Sequence, residues 1–305
     1  MNSNNPDKKP ILSIIIVSWN GEKVIKKCLD SLLKQKNVFF ELIIVDNASR
    51  DSTIEIINQK QNKFGKKFIK LIQNQKNLGF PKANNQGIKK ATGKYILFLN
   101  QDIIVKDGVL SKMIEAFEKA KKQVGAVAPK LVYPNGNLQK SLRPFPTPFN
   151  VLWDILTGGR WHENYYSYDK KQFVDQPMAS CLMIKTQIIR EINGFDQSKE
   201  FFLYFNDADL SYRIHKKNFK HLFIPKIKVI HFHGKSARTW KEVKRIKAWT
   251  KGLYYFLTKH YSKDNIVFVL LIKVEVFMIF ILRLGAAFIK EALKNSTRRV
   301  IFFKK

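Results

Sequence analysis

Acidic side chains and histidines follow apolar, strand-like runs at several points of the chain. Asp102 ends one such run, two residues after Asn100. A carboxylate in that position, with an amide nearby, can hold a hard divalent cation such as Mg²⁺ or Mn²⁺. The alternative is a simple turn, because Asn and Asp commonly end strands. His231 and His233 follow another apolar run, and either imidazole can supply a further ligand because alternate strand residues share a face.

Two more carboxylates, Asp207 and Asp209, come directly after the aromatic run Phe201–Phe205. An aromatic wall excludes water, and desolvation raises the proton affinity of a carboxylate, which suits a general base. The structural alternative is that Asp207 caps the N-terminus of a helix. The sequence therefore indicates a candidate proton acceptor here, with helix capping left open.

Asp46 and Gly79 mark two further candidate binding segments. Asp46 ends a second apolar run and can accept hydrogen bonds from a nucleobase or ribose, or form an Asx turn or helix cap. Gly79 precedes an amide-rich helical segment that can present donors to a pyrophosphate or sugar. The P-loop pattern GxxxxGK[ST] does not occur.

The elements that position these residues follow an alternating pattern. Continuous apolar runs predict strands buried on both faces, and the segments between them have helical spacing. The predicted strands are Ile11–Val17, Phe40–Val45, Phe68–Gln73 and Tyr95–Leu99, and the intervening helices are Glu22–Gln35, Ser52–Gln61 and Pro81–Ala91. Such alternation predicts parallel βαβ units with right-handed crossovers, whose ligands bind at the carboxyl ends of the strands.

The second half of the chain is patterned less regularly. Pro129–Pro177 is rich in Pro, Gly and aromatic residues, which indicates irregular loops with short strands. Beyond it the pattern predicts two strands and three helices. The strands are Met178–Ile184 and Phe223–Ile230, and the helices are Gln187–Ile192, Asp207–Lys217 and Thr239–Tyr261.

Composition is that of a globular protein with a strong basic excess. The 305 residues are 45% hydrophobic and 26% charged, which argues against a disordered, collagenous or disulfide-stapled chain. The formal charge of +31 favours an anionic partner: nucleic acid, an anionic membrane or phosphorylated substrates. Residues 211–305 carry 23 Lys and Arg against 4 Asp and Glu, so a functional basic surface there is favoured over compositional bias. The two cysteines indicate a reducing compartment.

Ile266–Leu282 is a 17-residue apolar segment, near the lower limit for crossing a bilayer. Lys273 and Glu275 near its middle make spanning costly. A helix lying in the membrane interface, flanked by basic residues, is favoured; a helix buried against the domain and a spanning helix stay open as alternatives.

Taken together, these segments resemble the family 2 glycosyltransferases, especially the rhamnosyltransferase-like branch. The resemblance covers about Leu12–Ser236 and depends on motifs that are modest singly but specific in their joint order. They are Ser13–Asn20 (SIIIVSWN), Asp46–Ser49 (DNAS), Asn77–Phe80 (NLGF), Leu99–Asp102 (LNQD), Gly194–Asp196 (GFD) through Asp209–Leu210, and His231 with Gly234 and Ser236.

The resemblance implies an α/β GT-A fold, Rossmann-like with a mostly parallel central sheet, and inverting, metal-dependent transfer of a sugar from a nucleoside diphosphate. It implies Mg²⁺ or Mn²⁺ held by Asp102 and His231, with Asp207 as the catalytic base. On the acceptor side it places Asn206 and Asp209. The donor-binding residues it implies are Ser18, Asn20, Asp46, Asn77, Gly79, Lys82, Asn84, Asn100 and Asp102.

Two positions depart from the family pattern. The first residue of the DxD motif is Asn100, which looks usual for this branch, and the Glu of the Glu-Asp pair is Asn206. The base assignment to Asp207 is unaffected, whereas any acceptor contact or pKa tuning by that Glu is lost.

The expected organisation is a flexible tail over 1–10, a GT-A domain over 11–236, and a basic, aromatic, membrane-associated helical extension over 237–305. The expected partners are a nucleoside-diphosphate sugar, a glycan acceptor, for which a polyprenyl-diphosphate-linked one would fit the charge and the apolar surface, and the anionic inner face of the cell membrane, in cell-surface polysaccharide synthesis. One alternative is a nucleotide-sugar-binding protein with a degenerate site, against which Asp102, Asp207, Asp209 and His231 argue. The other is a nucleic-acid-binding protein, for which no helix-turn-helix, zinc finger or RNA-recognition motif is evident, so no nucleic acid is expected as a partner.

Overall fold

The computed structural model describes residues 9–157, 162, 164–232, 242–262 and 265–302, with side chains for all of these except 154–156 and 286–302. The strands are β1 (Leu12–Ser18), β2 (Phe40–Asp46), β3 (Ile69–Gln73), β4 (Tyr95–Asn100), β5 (Ile103–Ile104), β6 (Val124–Val132), β7 (Leu142–Arg143), β8 (Gln172–Val174), β9 (Gln176–Pro177), β10 (Cys181–Lys185) and β11 (Lys220–His231). The helices are α1 (Ile25–Leu33), α2 (Thr53–Phe64), α3 (Phe80–Lys90), α4 (Val109–Glu118), α5 (Pro148–Leu156), α6 (Thr186–Glu191), α7 (Asn206–Lys216), α8 (Glu242–Tyr261) and α9 (Ile266–Phe302).

A mostly parallel sheet forms the centre of the molecule, in the order β3-β2-β1-β4-β10-β6-β11-β5. The first four strands are parallel to one another, β10 is antiparallel to both of its neighbours, and β6 and β11 are again parallel. The strand order reverses at β1, so the chain passes from one half of the sheet to the other beside the ends of β1 and β4. Open α/β sheets bind ligands in the crevice at such a reversal.

Alternate residues of the buried strands pack into two cores, one on each face of the sheet. One core joins Leu12, Ile14 and Ile16 of β1 to the apolar sides of α1 and α4. The other joins Ile15 of β1 to α3, α6 and α7. Because both faces are covered, the strands at the centre of the sheet are mostly apolar. Buried polar exceptions such as Ser13 and Glu41 are paired, since Ser13 Oγ donates to the Glu41 carboxylate at 2.6 Å.

The C-terminal helices α8 and α9 pack against the sheet domain. Leu253 and Phe256 of α8 share a core cluster with Phe201 and with Ile272 of α9. One side of α9 is therefore buried against protein and the opposite side is exposed. The exposed large apolar residues of α9 are Ile266, Val267, Leu270, Leu271, Val274, Phe277, Met278, Ile281 and Leu282. Among the described residues, no helix has a stretch long and apolar enough to cross a membrane.

The structure confirms the predicted α/β class and its mostly parallel sheet. It adds α4, β5 and β6, which the sequence pattern did not predict, and the helix α5 within the region predicted to form irregular loops with short strands. The predicted helix over Ile266–Leu282 extends to Phe302. The extension contains too many polar residues to be recognised as an apolar run. It has no Pro, and no Gly after Gly285, so nothing in it interrupts helical hydrogen bonding.

Replacement of Gly93, in the turn before β4, tests how closely that turn packs against β1. A β-carbon there would lie 2.7 Å from the backbone nitrogen of Ser13 and 2.8 Å from the carbonyl carbon of Leu12. We expect Gly93→Ala to lower the free energy of unfolding by about 1–3 kcal/mol, because the β1 backbone must move. Urea unfolding monitored by circular dichroism measures the change.

Gly285 is the matched control, because a β-carbon there meets nothing within 4 Å and the residue lies within α9. Gly285→Ala should leave stability unchanged or raise it by up to about 1 kcal/mol. Equal destabilisation by both substitutions would contradict the packing of the turn before β4.

Candidate active site

Asp102 and His231 meet at one end of the sheet although 129 positions of sequence separate them. His231 Nε2 lies 3.2 Å from Asp102 Oδ1, and both side chains are largely buried. The contact depends on the short strand β5, which pairs antiparallel with the end of β11 so that Ile103 stands opposite His231. The backbone N–H of Phe232 also donates to the carbonyl of Asp102 at 3.0 Å.

A buried glutamine fixes the orientation of the His231 ring. Gln139 Oε1 lies 2.9 Å from His231 Nδ1, so the amide and the Asp102 carboxylate each lie beside one ring nitrogen. If the amide oxygen accepts from Nδ1–H, the Nε2 lone pair faces Asp102. A cation bound between Nε2 and the carboxylate would stabilise that tautomer.

Asp207 lies in the first turn of α7, where the chain turns sharply into the helix. Phe205, the residue before the helix, has φ of 62°, a left-handed conformation that is rare for a bulky residue and common at functional sites. Asp207 Oδ1 accepts from Gln176 Nε2 at 3.3 Å and from the backbone N–H of Ala208 at 2.9 Å. Burial raises the pKa of Asp207, and the nearby charge of Arg143 opposes the rise.

A cleft of about 540 Å³ brings these groups together, within the usual size range of small-molecule sites. Residues predicted as site residues that line it are Asn77, Gly79, Asn100, Asp102, Asn206, Asp207 and His231. His233, the alternative metal ligand, lies outside the described residues. The cleft thus joins the ends of β1, β4 and β11 to the first turn of α7.

Ser18, Asn20 and Asp46 form hydrogen bonds that join the loop after β1 to the loop after β2. The carboxylate of Asp46 accepts from Ser18 Oγ at 2.9 Å and from the backbone N–H of Ser49 at 2.8 Å. The backbone N–H of Arg50 donates to the side-chain oxygen of Asn20 at 2.9 Å. These three side chains do not appear in the cleft lining, which contains their neighbours Trp19 and Asn47 instead.

Gly79 and the helix that follows it form another wall. Gly79 has φ of +82°, and a β-carbon there would lie 2.6 Å from the ring of Phe202. The glycine therefore permits both the turn into α3 and the approach of that ring. Asn84 is buried and donates to the carbonyl of Phe80 at 2.9 Å, whereas Lys82 is exposed, and neither side chain lines the cleft.

Asp209 is buried in a charged network behind α7 rather than at the cleft. It pairs with Arg213 at 2.7 Å, Lys259 at 2.6 Å and His260 at 2.9 Å. Lys259 also pairs with Asp196 at 2.6 Å. The network joins α7, which carries Asp207, to α8, and each of its charges is paired within the protein.

Several residues of the cleft wall were not predicted as site residues, among them Trp19, Asn47, Gln101 and Lys244. Gln101, the middle residue of the LNQD motif, uses its side-chain amide on both backbone groups of Trp19, at 3.2 and 3.1 Å. Lys244 comes from α8. The sequence signal for Lys244 was only the basic character of α8, because the spacing of lysines does not show which of them reaches a cleft.

The donor set at Asp102 and His231 fits a divalent cation in part. Adjacent ligands of an octahedral ion at about 2.1 Å lie about 3 Å apart, close to the 3.2 Å between Asp102 Oδ1 and His231 Nε2. Within the described ranges, no three His, Cys, Asp or Glu side chains group closely enough to hold a metal alone. Mg²⁺ is commonly held by one or two protein ligands together with substrate phosphates, and this pair suits that arrangement.

The sheet order and the cleft at the carboxyl ends of its strands agree with the expected GT-A fold. The chain belongs to glycosyltransferase family 2, because the model of that family, Glycosyl transferase family 2, matches residues 13–191. This confirms the family indicated by the motifs. The match ends before Asp207 and His231, so their places in the site depend on the geometry above.

A relative in Mycobacterium tuberculosis, N-acetylglucosaminyl-diphospho-decaprenol L-rhamnosyltransferase, is 21% identical over 271 residues, covering 83% of this chain and 85% of that protein. It agrees with the rhamnosyltransferase-like branch. The mannosyltransferase PcManGT from Pyrobaculum calidifontis, solved with GDP-Man and Mn²⁺, has a TM-score of 0.60 at 16% identity and covers 95% of this chain and 76% of that one. TarS from S. aureus, solved with UDP-GlcNAc, has a TM-score of 0.54 at 18% identity over 82% of this chain and 66% of that one.

Asp209 gives a stability prediction. Burial raises its pKa, but the hydrogen bond from His260 and the charges of Arg213 and Lys259 outweigh burial and lower the pKa from 3.8 to about 2. The stabilisation is therefore complete above about pH 4 and is lost as the pH falls through 2, amounting to roughly 2 kcal/mol. Asp209→Asn should cost about 3 kcal/mol at pH 7, because it leaves the largely buried Arg213 without its carboxylate and removes one of the two carboxylates that pair with Lys259.

Urea unfolding between pH 7 and pH 2 measures both effects. Asp169→Asn is the control, since the Asp169 side chain is 90% exposed and pairs only at the surface with Lys130; it should change stability by less than about 1 kcal/mol. An Asp209→Asn protein as stable as the wild type at pH 7 would show that the network contributes nothing.

Proposed function

We propose that the protein is an inverting, metal-dependent hexosyltransferase acting at the cytoplasmic face of the cell membrane. It transfers a sugar from a nucleoside-diphosphate donor to a hydroxyl of a lipid-linked glycan in cell-surface polysaccharide synthesis. The observation that carries the proposal is the meeting of Asp102, His231 and Asp207 in one cleft. A cation-binding pair and a desolvated carboxylate are the two groups that this reaction requires.

The donor fits the end of the cleft between β1 and α3. Trp19, Asn47 and Asn77 supply an indole and amides there, and the N-terminus of α3 begins directly after Gly79. The N-terminus of an 11-residue helix such as α3 favours the negative charge of a diphosphate. The Asp46 network holds the two loops that carry Trp19 and Asn47, so Ser18, Asn20 and Asp46 support donor binding by positioning.

Asp102 and His231 would hold Mg²⁺ or Mn²⁺ at the diphosphate. When bound, the cation offsets the negative charge that develops on the leaving nucleoside diphosphate. Gln139 keeps the His231 proton on Nδ1, at 2.9 Å, so that Nε2 is available as a ligand. The solved mannosyltransferase with GDP-Man and Mn²⁺ supports this donor and ion class.

Asp207 is the proposed base. Its raised pKa makes the carboxylate a stronger proton acceptor than a solvent-exposed aspartate. As Asp207 takes the proton of the acceptor hydroxyl, that oxygen attacks the anomeric carbon from the side opposite the diphosphate. One displacement breaks the bond to the diphosphate and inverts the anomeric configuration, so no nucleophilic side chain is needed.

A lipid-linked acceptor is supported by the relative and by charge. The name of the mycobacterial relative gives a polyprenyl-diphosphate-linked acceptor, and the basic residues concentrated in 211–305 suit a phosphorylated, membrane-held substrate. Lys244 on the cleft wall is placed to meet such a phosphate. Asn206, which also lines the cleft, is an amide on the acceptor side.

Replacing the base tests the mechanism. Asp207→Asn should lower kcat by roughly 10²–10⁴-fold, because the proton of the attacking hydroxyl has no acceptor, while the affinity for the nucleotide sugar stays within about twofold. Steady-state release of nucleoside diphosphate and calorimetric titration of the donor measure the two quantities. Asp169→Asn, on the surface, should retain full turnover; wild-type turnover in Asp207→Asn would exclude Asp207 as base.

The metal pair is tested by a panel of nucleotide sugars assayed with and without Mn²⁺. Chelation should abolish release of nucleoside diphosphate, and both Asp102→Asn and His231→Gln should raise the Mn²⁺ concentration for half-maximal rate by about tenfold or more. Undiminished rates in excess chelator would contradict metal dependence. Binding of a donor with no turnover on any acceptor would instead favour a degenerate, nucleotide-sugar-binding protein.

A further inference from the structure

We infer that the outer face of α9, together with the exposed aromatic residues of α5, docks on the surface of an anionic lipid bilayer. This inference names the surface that would hold the enzyme at its acceptor, so it rests on the proposed function for its purpose. Its physical basis is independent of catalysis. It consists of an apolar face, a basic surround and a position beside the cleft.

The apolar face is long and one-sided. From Ile266 to Leu282 nine exposed residues of α9 are large and apolar, with Phe277 62% exposed, and Lys273 is exposed among them. At 1.5 Å per residue this stretch is about 24 Å long. On α5, which packs against α9, Phe149 is 72% exposed and stacks on Trp153 with ring centroids 6.3 Å apart. Exposed apolar residues in this number on one helix indicate an interaction site rather than ordinary exposure.

The opposite side of α9 is held by protein, which sets how the helix can meet a membrane. Ile272, Val276 and Ile279 are buried against α8 and its neighbours, and the Arg283 guanidinium lies 3.6 Å from the centre of the Trp249 ring. The helix therefore lies along the domain. Only its outer face is free to enter the boundary between headgroups and acyl chains, as in interfacial helices.

The surrounding charge selects the occupant. Residues 242–285 carry eight Lys and Arg against three Asp and Glu. On α8 the exposed side chains of Lys244, Lys247 and Lys251 recur three and four residues apart, which places them on one side of that helix. A second copy of the chain would bring a like-charged surface to this face, whereas an anionic leaflet attracts it by about 1 kcal/mol per nearby lysine. Charge complementarity thus favours the bilayer.

The docking face ends beside the cleft. Leu282 precedes Arg283, which stacks on Trp249, and the Trp249 ring lies 5.3 Å from the ring of Phe205. Phe205 directly precedes Asn206 and Asp207 in the cleft wall. Docking through α9 would bring the mouth of the cleft to the membrane surface, where an acceptor with a lipid anchor presents its sugar.

Vesicle binding by the full-length protein tests the inference. The wild type is mixed with vesicles of phosphatidylcholine alone or of equal parts phosphatidylcholine and phosphatidylglycerol, and bound protein is measured by flotation. The paired substitutions Leu271→Gln and Phe277→Gln remove two exposed apolar residues of α9. The matched control carries Phe64→Gln and Phe173→Gln, which are 40% and 41% exposed on the sheet domain.

We expect binding to the phosphatidylglycerol vesicles, a fall in the partition coefficient of about tenfold or more in the α9 variant, and no change in the control. No binding of the wild type, or equal binding by the wild type and the α9 variant, would overturn the inference. So would a wild-type dimer that becomes a monomer in the α9 variant without vesicles, since a second copy would then cover the face.

Activity separates this inference from the proposed function. With a water-soluble acceptor or water itself, the α9 variant should release nucleoside diphosphate at the wild-type rate, because neither substituted residue lines the cleft. A protein that binds vesicles through α9 but processes no nucleotide sugar would leave the docking surface standing and refute the proposed reaction.

Discussion

The contact between Asp102 and His231 is the constraint on which the rest of the site depends. Neither residue can reach the other by local folding, because they end strands on opposite sides of β10 and β6. The two-residue strand β5 closes that distance by pairing with the last residues of β11. The backbone hydrogen bonds of this strand, too short to be stable alone, thereby bring together the two residues that we propose as a cation-binding pair.

The second half of the site is held by charge. Asp207 begins α7, and two residues later Asp209 binds α7 to the C-terminal helix α8 through Arg213, Lys259 and His260. The first turn of one helix therefore carries a carboxylate that faces the cleft and one that is buried in ion pairs. The two environments move their pKa values in opposite directions, which distinguishes the proposed base from the structural carboxylate. The proposed docking of α9 on a membrane would involve the same pair of C-terminal helices, α8 and α9, to which Asp209 binds α7.

The sequence predicted the sheet well and the roles within the site only partly. Apolar runs such as β1 and β2 are recognised readily, because a strand buried on both faces has few polar positions. The strand β6 was missed since Gly125, Ala126 and Ala128 weaken its apolar pattern. Asp209 and Asp46 look like ligand-binding carboxylates in sequence, yet their partners lie up to 51 positions away, and only tertiary packing shows that those partners occupy them.

Electron spin-echo spectroscopy of Mn²⁺ bound with a nucleoside diphosphate tests the central claim most directly. The account predicts modulation from a directly coordinated imidazole nitrogen in the wild-type protein, and its loss in His231→Gln. A spectrum without nitrogen coupling, or one that His231→Gln leaves unchanged, would contradict the claim that β5 and β11 bring Asp102 and His231 around one cation.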